Sequence, residues 1–193
     1  MMMISMMTNL AVFVSGSGTN CENIICYFQE SERARVVLVV SNRADAFALV
    51  RATRLGVPTC VVSKEEFADS SRMLALLREH SVDFIVLAGF LLMVPPYLVR
   101  AYQGRMVNIH PSLLPKYGGK GLYGHHVHEA VWQARETVTG ITIHWVNEEY
   151  DQGAVIRQFT TPVLPDDTPD DIAAHIHELE QQHFPKVIES VLP

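Results

Sequence analysis

Apolar residues run in short unbroken stretches through the first half of the chain, separated by segments with helical spacing. Residues 9–15 form the first run and end in a glycine loop, Ser15-Gly16-Ser17-Gly18-Thr19-Asn20. A helix through Ile24, Ile25 and Phe28 is expected next. Residues 35–40 are β-branched and apolar with no alternation, the pattern of a strand covered on both faces in a parallel sheet. Residues 44–55 read as a helix stopped by Gly56 and Pro58, and 59–62 as a short strand. Residues 64–80 read as one helix with Phe67, Met73, Leu74 and Leu77 inward. Residues 83–87 make a central strand. Pro95 and Pro96 open a short helix over 97–101, and 106–110 make the next strand.

The texture then changes. A helix is expected from Tyr123 or Gly124 to Ala134. Residues 138–146 and 154–162 partly alternate, as in antiparallel neighbours with one covered face. Thr168-Pro169-Asp170-Asp171 carries a capping hydroxyl, a first-turn proline and first-turn acids, so a helix starts there. Ile172, Ile176 and Leu179 give its apolar stripe, and Pro185 is expected to kink or interrupt it. The rhythm predicts an open, Rossmann-like α/β sheet, mostly parallel, with helices on both faces and antiparallel strands added in the C-terminal half. No linker divides it. One domain over 1–193 is expected, with a phosphate-binding half at 8–110 and a second half at 111–193 completing the site.

Composition narrows the function. Hydrophobic residues make up 48% of the 193, enough for a substantial core. A formal charge of -6 argues against nucleic acid as the main partner, while leaving room for a small anion held by backbone donors. Cys21, Cys26 and Cys60 are odd in number and lack metal-site spacing, which suits a reducing, cytoplasmic setting. The methionine-rich start, residues 1–7, reads as a ragged terminus, and no apolar run is long enough for a membrane span.

Chemistry gathers at expected strand ends. Gly16, Ser17, Gly18, Thr19 and Asn20 lie between a strand and a helix, where successive N–H groups and the helix start favour a phosphate. The loop lacks both the Walker lysine and the dinucleotide spacing. A terminal phosphate on a small substrate fits it better than ATP or NAD; a purely structural turn is the alternative. Asn108 and His110 alternate onto one side of a strand, followed by Pro111 and Pro115. An amide donor for an oxyanion beside a proton-carrying imidazole suggests a reacting centre. A buried pair that pins the next loop is an equal reading of that segment alone. Asp151, two residues before Gly153, is the preferred carboxylate partner, because glycine there lets backbone approach a ligand. Asp83 is expected at the opposite sheet edge and Asp45 at a helix start. His125, His126 and His128 lack a convincing partner set for a metal and are expected to face solvent or line an entrance. Cys21 is expected to pack, although its place near a helix start favours the thiolate. Trp132 and Trp145 are expected in the core.

Ser15 to Asn20, Leu87-Ala88-Gly89-Phe90, Asn108-Ile109-His110-Pro111-Ser112-Leu113-Leu114-Pro115 and Asp151-Gln152-Gly153 occur in the order found in the phosphoribosylglycinamide formyltransferase family, which the chain resembles from about residue 10 to 187. The resemblance implies transfer of a formyl group from 10-formyltetrahydrofolate to the amine of 5-phosphoribosylglycinamide in purine synthesis. It implies no metal, nucleic-acid or membrane partner, and a monomer or weak homodimer. Carried over by motif, Asn108, His110 and Asp151 resemble the catalytic trio, and Gly16 to Asn20 the phosphate loop. Glu180 resembles the glutamate that holds the ribose. Phe90, Leu91, Leu92, Met93 and Val94 resemble the strip beside the folate pteridine, His144 the histidine near the catalytic aspartate, and Asn147 part of a closing loop. Leu92 stands where an arginine is found, Asn147 where an aspartate is common, and residues 118–124 are longer than the compact turn expected.

Overall fold

A computed structural model describes residues 7–193; the terminus over 1–6, Met6 included, lies outside the described residues. Seven strands form one sheet: β1 (Thr8–Val14), β2 (Ala34–Ser41), β3 (Thr59–Val61), β4 (Phe84–Leu87), β5 (Met106–His110), β6 (Val138–Trp145) and β7 (Val155–Pro162). Their spatial order is β3-β2-β1-β4-β5-β6-β7, parallel as far as β5 and antiparallel for β5–β6 and β6–β7. This is the mixed sheet that the patterning predicts. The chain first winds outward from β1 to β3, then returns to the other side of β1 with β4. The loops after β1 and β4 therefore part at their carboxyl ends and leave a crevice.

Among the described residues seven helices cover the sheet: α1 (Thr19–Phe28), α2 (Phe47–Arg54), α3 (Lys64–Ala68), α4 (Ser70–Glu79), α5 (Pro96–Ala101), α6 (His125–Gln133) and α7 (Pro169–Ser190). Alternation along β1 divides the core in two. Leu10, Val12 and Val14 pack with α1, α2, α6 and α7, whereas Ala11 and Phe13 pack with α3, α4 and α5. Both faces of β1 are dry, which explains its unbroken apolar run.

The structure departs from the pattern reading in a few places. The helix expected over 64–80 is two. Ser63 and Glu66 form a capping box that starts α3, but Asp69 leaves helical geometry at ψ 104 and accepts from the N–H groups of Ser71 and Arg72 to start α4. The helix expected from residue 44 begins at Phe47, and Asp45 pairs instead with Arg43 on the surface. Trp132 is 49% exposed, because it lies on the outer side of α6; Trp145 packs edge-on against Phe84 as expected. Cys21 is fully buried and burial pushes its thiol up to about 12, overriding the helix start.

α7 runs unbroken through Pro185. A proline there removes the donor to the carbonyl four residues back. That carbonyl, on Gln181, accepts from Asn23 Nδ2 of α1 at 2.9 Å. A side chain more than 150 residues away thus supplies the bond that the helix lacks. Asn23→Ala is expected to lower stability by about 1 kcal/mol, read as a lower urea midpoint at unchanged slope.

Candidate active site

One cleft of about 770 Å³ opens at the carboxyl ends of β1, β4 and β5. All the residues singled out by motif line it: Gly16 to Asn20, Phe90 to Val94, Asn108, His110, His144, Asn147, Asp151 and Glu180. At the glycine loop, Gly18 takes φ 75 as the residue before α1, and a Cβ there would come within 2.5 Å of Ala48 Cα. Glycine is required by both backbone and packing. A Cβ on Gly16 would meet nothing, so that position faces open space. The first α1 bond runs from Glu22 N to Gly18 O, so the N–H groups before it lack helical partners.

Other contacts shape this loop that sequence reasoning missed. Arg51 Nε donates to Ser17 O at 2.9 Å, while its Nη1 pairs with Glu22. Ser15 Oγ donates to Asn42 Oδ1 and accepts from Leu91 N at 2.9 Å, tying together the ends of β1, β2 and β4. Nothing local marks Arg51 or Asn42, because both meet the loop only through the sheet. Asn20 Nδ2 donates to Glu180 Oε2 at 2.9 Å, joining α1 to α7 beside the cleft.

At the end of β5, Asn108 and β6 residue His144 are cross-strand partners. His144 Nδ1 lies 2.9 Å from Trp145 O, so it carries the proton and donates. Its Nε2 then accepts from Asn108 Nδ2 at 3.1 Å. This fixes the amide, turning one N–H to His144 and leaving the second free. Burial lowers the pKa of His144, favouring the neutral ring that this arrangement needs. His110 is 4% exposed. Its Nε2 donates to Tyr117 O at 2.7 Å, and its Nδ1 lies 3.5 Å from Asp151 Oδ2. Asp151 stands between two imidazoles, with Oδ1 3.7 Å from His144 Nε2 and Oδ2 accepting from Gly119 N at 2.9 Å. Tyr117 O and Gly119 N are backbone groups of the extended loop, and no side-chain pattern announced them.

One expectation needs correction. Gly153 does not admit a ligand: a Cβ there would collide with Trp145 O, the acceptor of the His144 proton. Phe90 lines the cleft with its ring held from behind. It packs edge-on against Phe13 and Phe67 at centroid distances of 5.4 and 5.1 Å, leaving Leu91 and Met93 as the exposed apolar members. Leu92 and Asn147 line the cleft, with Asn147 Oδ1 accepting from Glu149 N. Asp83 lies at the amino ends of the strands, where its carboxylate accepts from Asn9 N. His125 and His126 are exposed, but His128 is buried and lines the cleft.

An amide with one free N–H and an imidazole at the end of β5, a carboxylate brought beside that imidazole by the β6–β7 loop, and a glycine loop lining the same cleft suit acyl transfer to a phosphorylated acceptor. A model of the formyl transferase family matches residues 8–188. The chain belongs to that family. A phosphoribosylglycinamide formyltransferase of Haemophilus influenzae is 37% identical over 94% of this chain and 86% of its own length. A chloroplastic one of Arabidopsis thaliana is 40% identical over 94% of this chain. The chain spans 64% of that plant protein and 13% of a trifunctional Drosophila melanogaster relative. The crystal structure of the Streptococcus pneumoniae phosphoribosylglycinamide formyltransferase superposes with a TM-score of 0.85 at 39% identity, covering 97% of this chain and all of that one. No described helix of this formyl transferase family member is long and apolar enough to cross a membrane.

The family member's buried histidines set an acid limit. Burial lowers the pKa values of His128 and His144 below the usual histidine value of about 6.5. The unfolded chain therefore binds protons first as pH falls through about 6.5, and stability falls with it. His177, raised by its bond to Glu180, acts in the opposite sense but is more exposed. The urea midpoint is expected to be lower at pH 5.5 than at 7.5, with the difference reduced in His144→Gln.

Proposed function

We propose that the chain transfers the formyl group of 10-formyltetrahydrofolate to the primary amine of 5-phosphoribosylglycinamide, a step of purine biosynthesis. The observation that carries this reading is the shared cleft: Asn108, His110 and Asp151 face the same space as a glycine loop at a helix start. The names of the family relatives support it.

The loop from Gly16 to Asn20 takes the acceptor's phosphate on its unpaired N–H groups, with the helix start adding favourable partial charge. Glu180 holds the sugar end. Leu91 and Met93 offer exposed apolar surface for a flat ring, and the backbone of residues 90–94 offers hydrogen bonds along its edge. The folate supplies the activated one-carbon unit. Negative charge develops on the formyl oxygen as the amine attacks. The free N–H of Asn108 donates to that oxygen, held in place by His144. His110, when protonated, has both N–H groups satisfied by Tyr117 O and Asp151, so it contributes positive charge from a fixed position rather than a direct bond. Asp151 receives the proton that the attacking amine must lose, directly or through water. The new C–N bond replaces the bond to folate N10, and N10 gains one proton for the one lost by the amine.

Purified protein mixed with phosphoribosylglycinamide and 10-formyltetrahydrofolate should give the formylated acceptor by mass. Deformylation to formate without need of the acceptor would show a hydrolase instead. Binding of both compounds without turnover would show a noncatalytic module.

A further inference from the structure

His128 is a cleft-lining side chain that is buried yet unused in the geometry above. It is 7% exposed, and among the described residues no hydrogen-bond partner meets its buried Nδ1. Native structures seldom leave a buried ring nitrogen unmatched, and the exceptions call for an explanation. Burial lowers its pKa, so the ring is neutral and one nitrogen carries the proton. A buried lone pair is cheaper to leave unmatched than a buried N–H, so the proton belongs on Nε2. The ring lines the cleft, and of its two nitrogens only Nδ1 is both buried and unpaired; the Nε2–H, which makes no bond among the described residues, is left for the cleft.

Glu180 lines the same cleft from α7. Its Oε2 accepts from Asn20 Nδ2 and lies 3.9 Å from His177 Nδ1, while Oε1 makes no hydrogen bond among the described residues. A donor and an acceptor are thus left facing one space, from α6 and α7, next to the phosphate loop. Two neighbouring hydroxyls on a phosphorylated sugar complement such a pair: one donates to Glu180 Oε1, and the other accepts from His128 Nε2.

We infer that His128 is a second sugar-binding residue, reading one hydroxyl of the acceptor's ribose while Glu180 reads the other. This rests on the proposed acceptor site and extends it to a residue of α6.

Ribose 5-phosphate and inorganic phosphate serve as probes, titrated calorimetrically into the full chain. His128→Leu is expected to weaken ribose 5-phosphate about tenfold while leaving inorganic phosphate within about twofold, and His128→Gln, which keeps a donor, to recover most of the loss. Equal ribose 5-phosphate affinity in wild type and His128→Leu would overturn the inference and leave the acceptor site standing. Equal weakening of both probes would overturn it by showing a packing role. If the wild type binds neither probe, the acceptor site itself fails and the inference with it. Should the leucine variant not fold, the imidazole nitrogens of wild-type His128 can be followed by NMR, assigned by difference from His128→Gln. A shift on adding ribose 5-phosphate beyond that caused by inorganic phosphate supports the contact; the same shift with both overturns it.

Discussion

Asp151→Asn is expected to cut turnover by about 10²–10⁴-fold while changing the affinity for ribose 5-phosphate little. The carboxylate sits 3.5 Å from His110 Nδ1 and 3.7 Å from His144 Nε2, and it faces the cleft. Asparagine keeps the size and can still accept from Gly119 N, so the loop contact survives. What disappears is the negative charge. Without it a protonated His110 loses its counter-ion, and the amine's proton has no anionic acceptor. Single-turnover kinetics with saturating substrates would isolate the chemical step. A turnover within threefold of wild type would remove Asp151 from the reaction and leave it as a loop anchor.

Gly153→Ala is expected to be nearly as damaging by another route. The added Cβ would overlap Trp145 O, so either the loop or the end of β6 must move. That carbonyl accepts the His144 Nδ1 proton, and His144 Nε2 in turn holds Asn108. One methyl group thus reaches the amide through a carbonyl and an imidazole. Stability should fall by about 2–4 kcal/mol, as for other overpacked sites at close backbone approaches. For a chain of this size that means a Tm lower by roughly 4–16 °C. Turnover should fall in the folded fraction too, because Asn108 is freed to rotate. A variant that loses stability but keeps wild-type turnover would show that the Asn108–His144 bond is dispensable.

Gly153 shows where reading along the chain goes astray. A glycine next to a reactive aspartate looks like room for substrate, yet the room is filled by a strand eight residues earlier. The break at Asp69 was legible in principle, since Asp69-Ser70-Ser71 is a helix-start pattern, but the apolar spacing over 64–80 masked it. Pro185 is the converse. Local rules allow an interruption there, yet the helix continues, and Asn23 from another helix bonds the Gln181 O that the proline leaves without a donor.

The order of strands and helices, the two-sided burial of β1, and the gathering of Gly16 to Asn20, Asn108 and His110 at strand ends were written in local pattern. Side-chain period and turn residues act over a few positions, so they can be read without knowing what lies opposite. Asp151 was preferred for the trio because of the glycine two residues on, a local signal whose stated reason the packing of Gly153 on Trp145 O does not support, and the resemblance pointed to the same residue. Only the tertiary structure decided how the polar atoms are shared: that Trp145 O fixes the His144 tautomer, that Tyr117 O and Gly119 N hold His110 and Asp151, that Arg51 grips the glycine loop, and that His128 is buried in the wall of the cleft that Glu180 also lines. Hydrogen bonds extend over about 3 Å and depend on direction. Their partners come from segments far apart in the chain, and half of these are backbone groups that every residue carries alike.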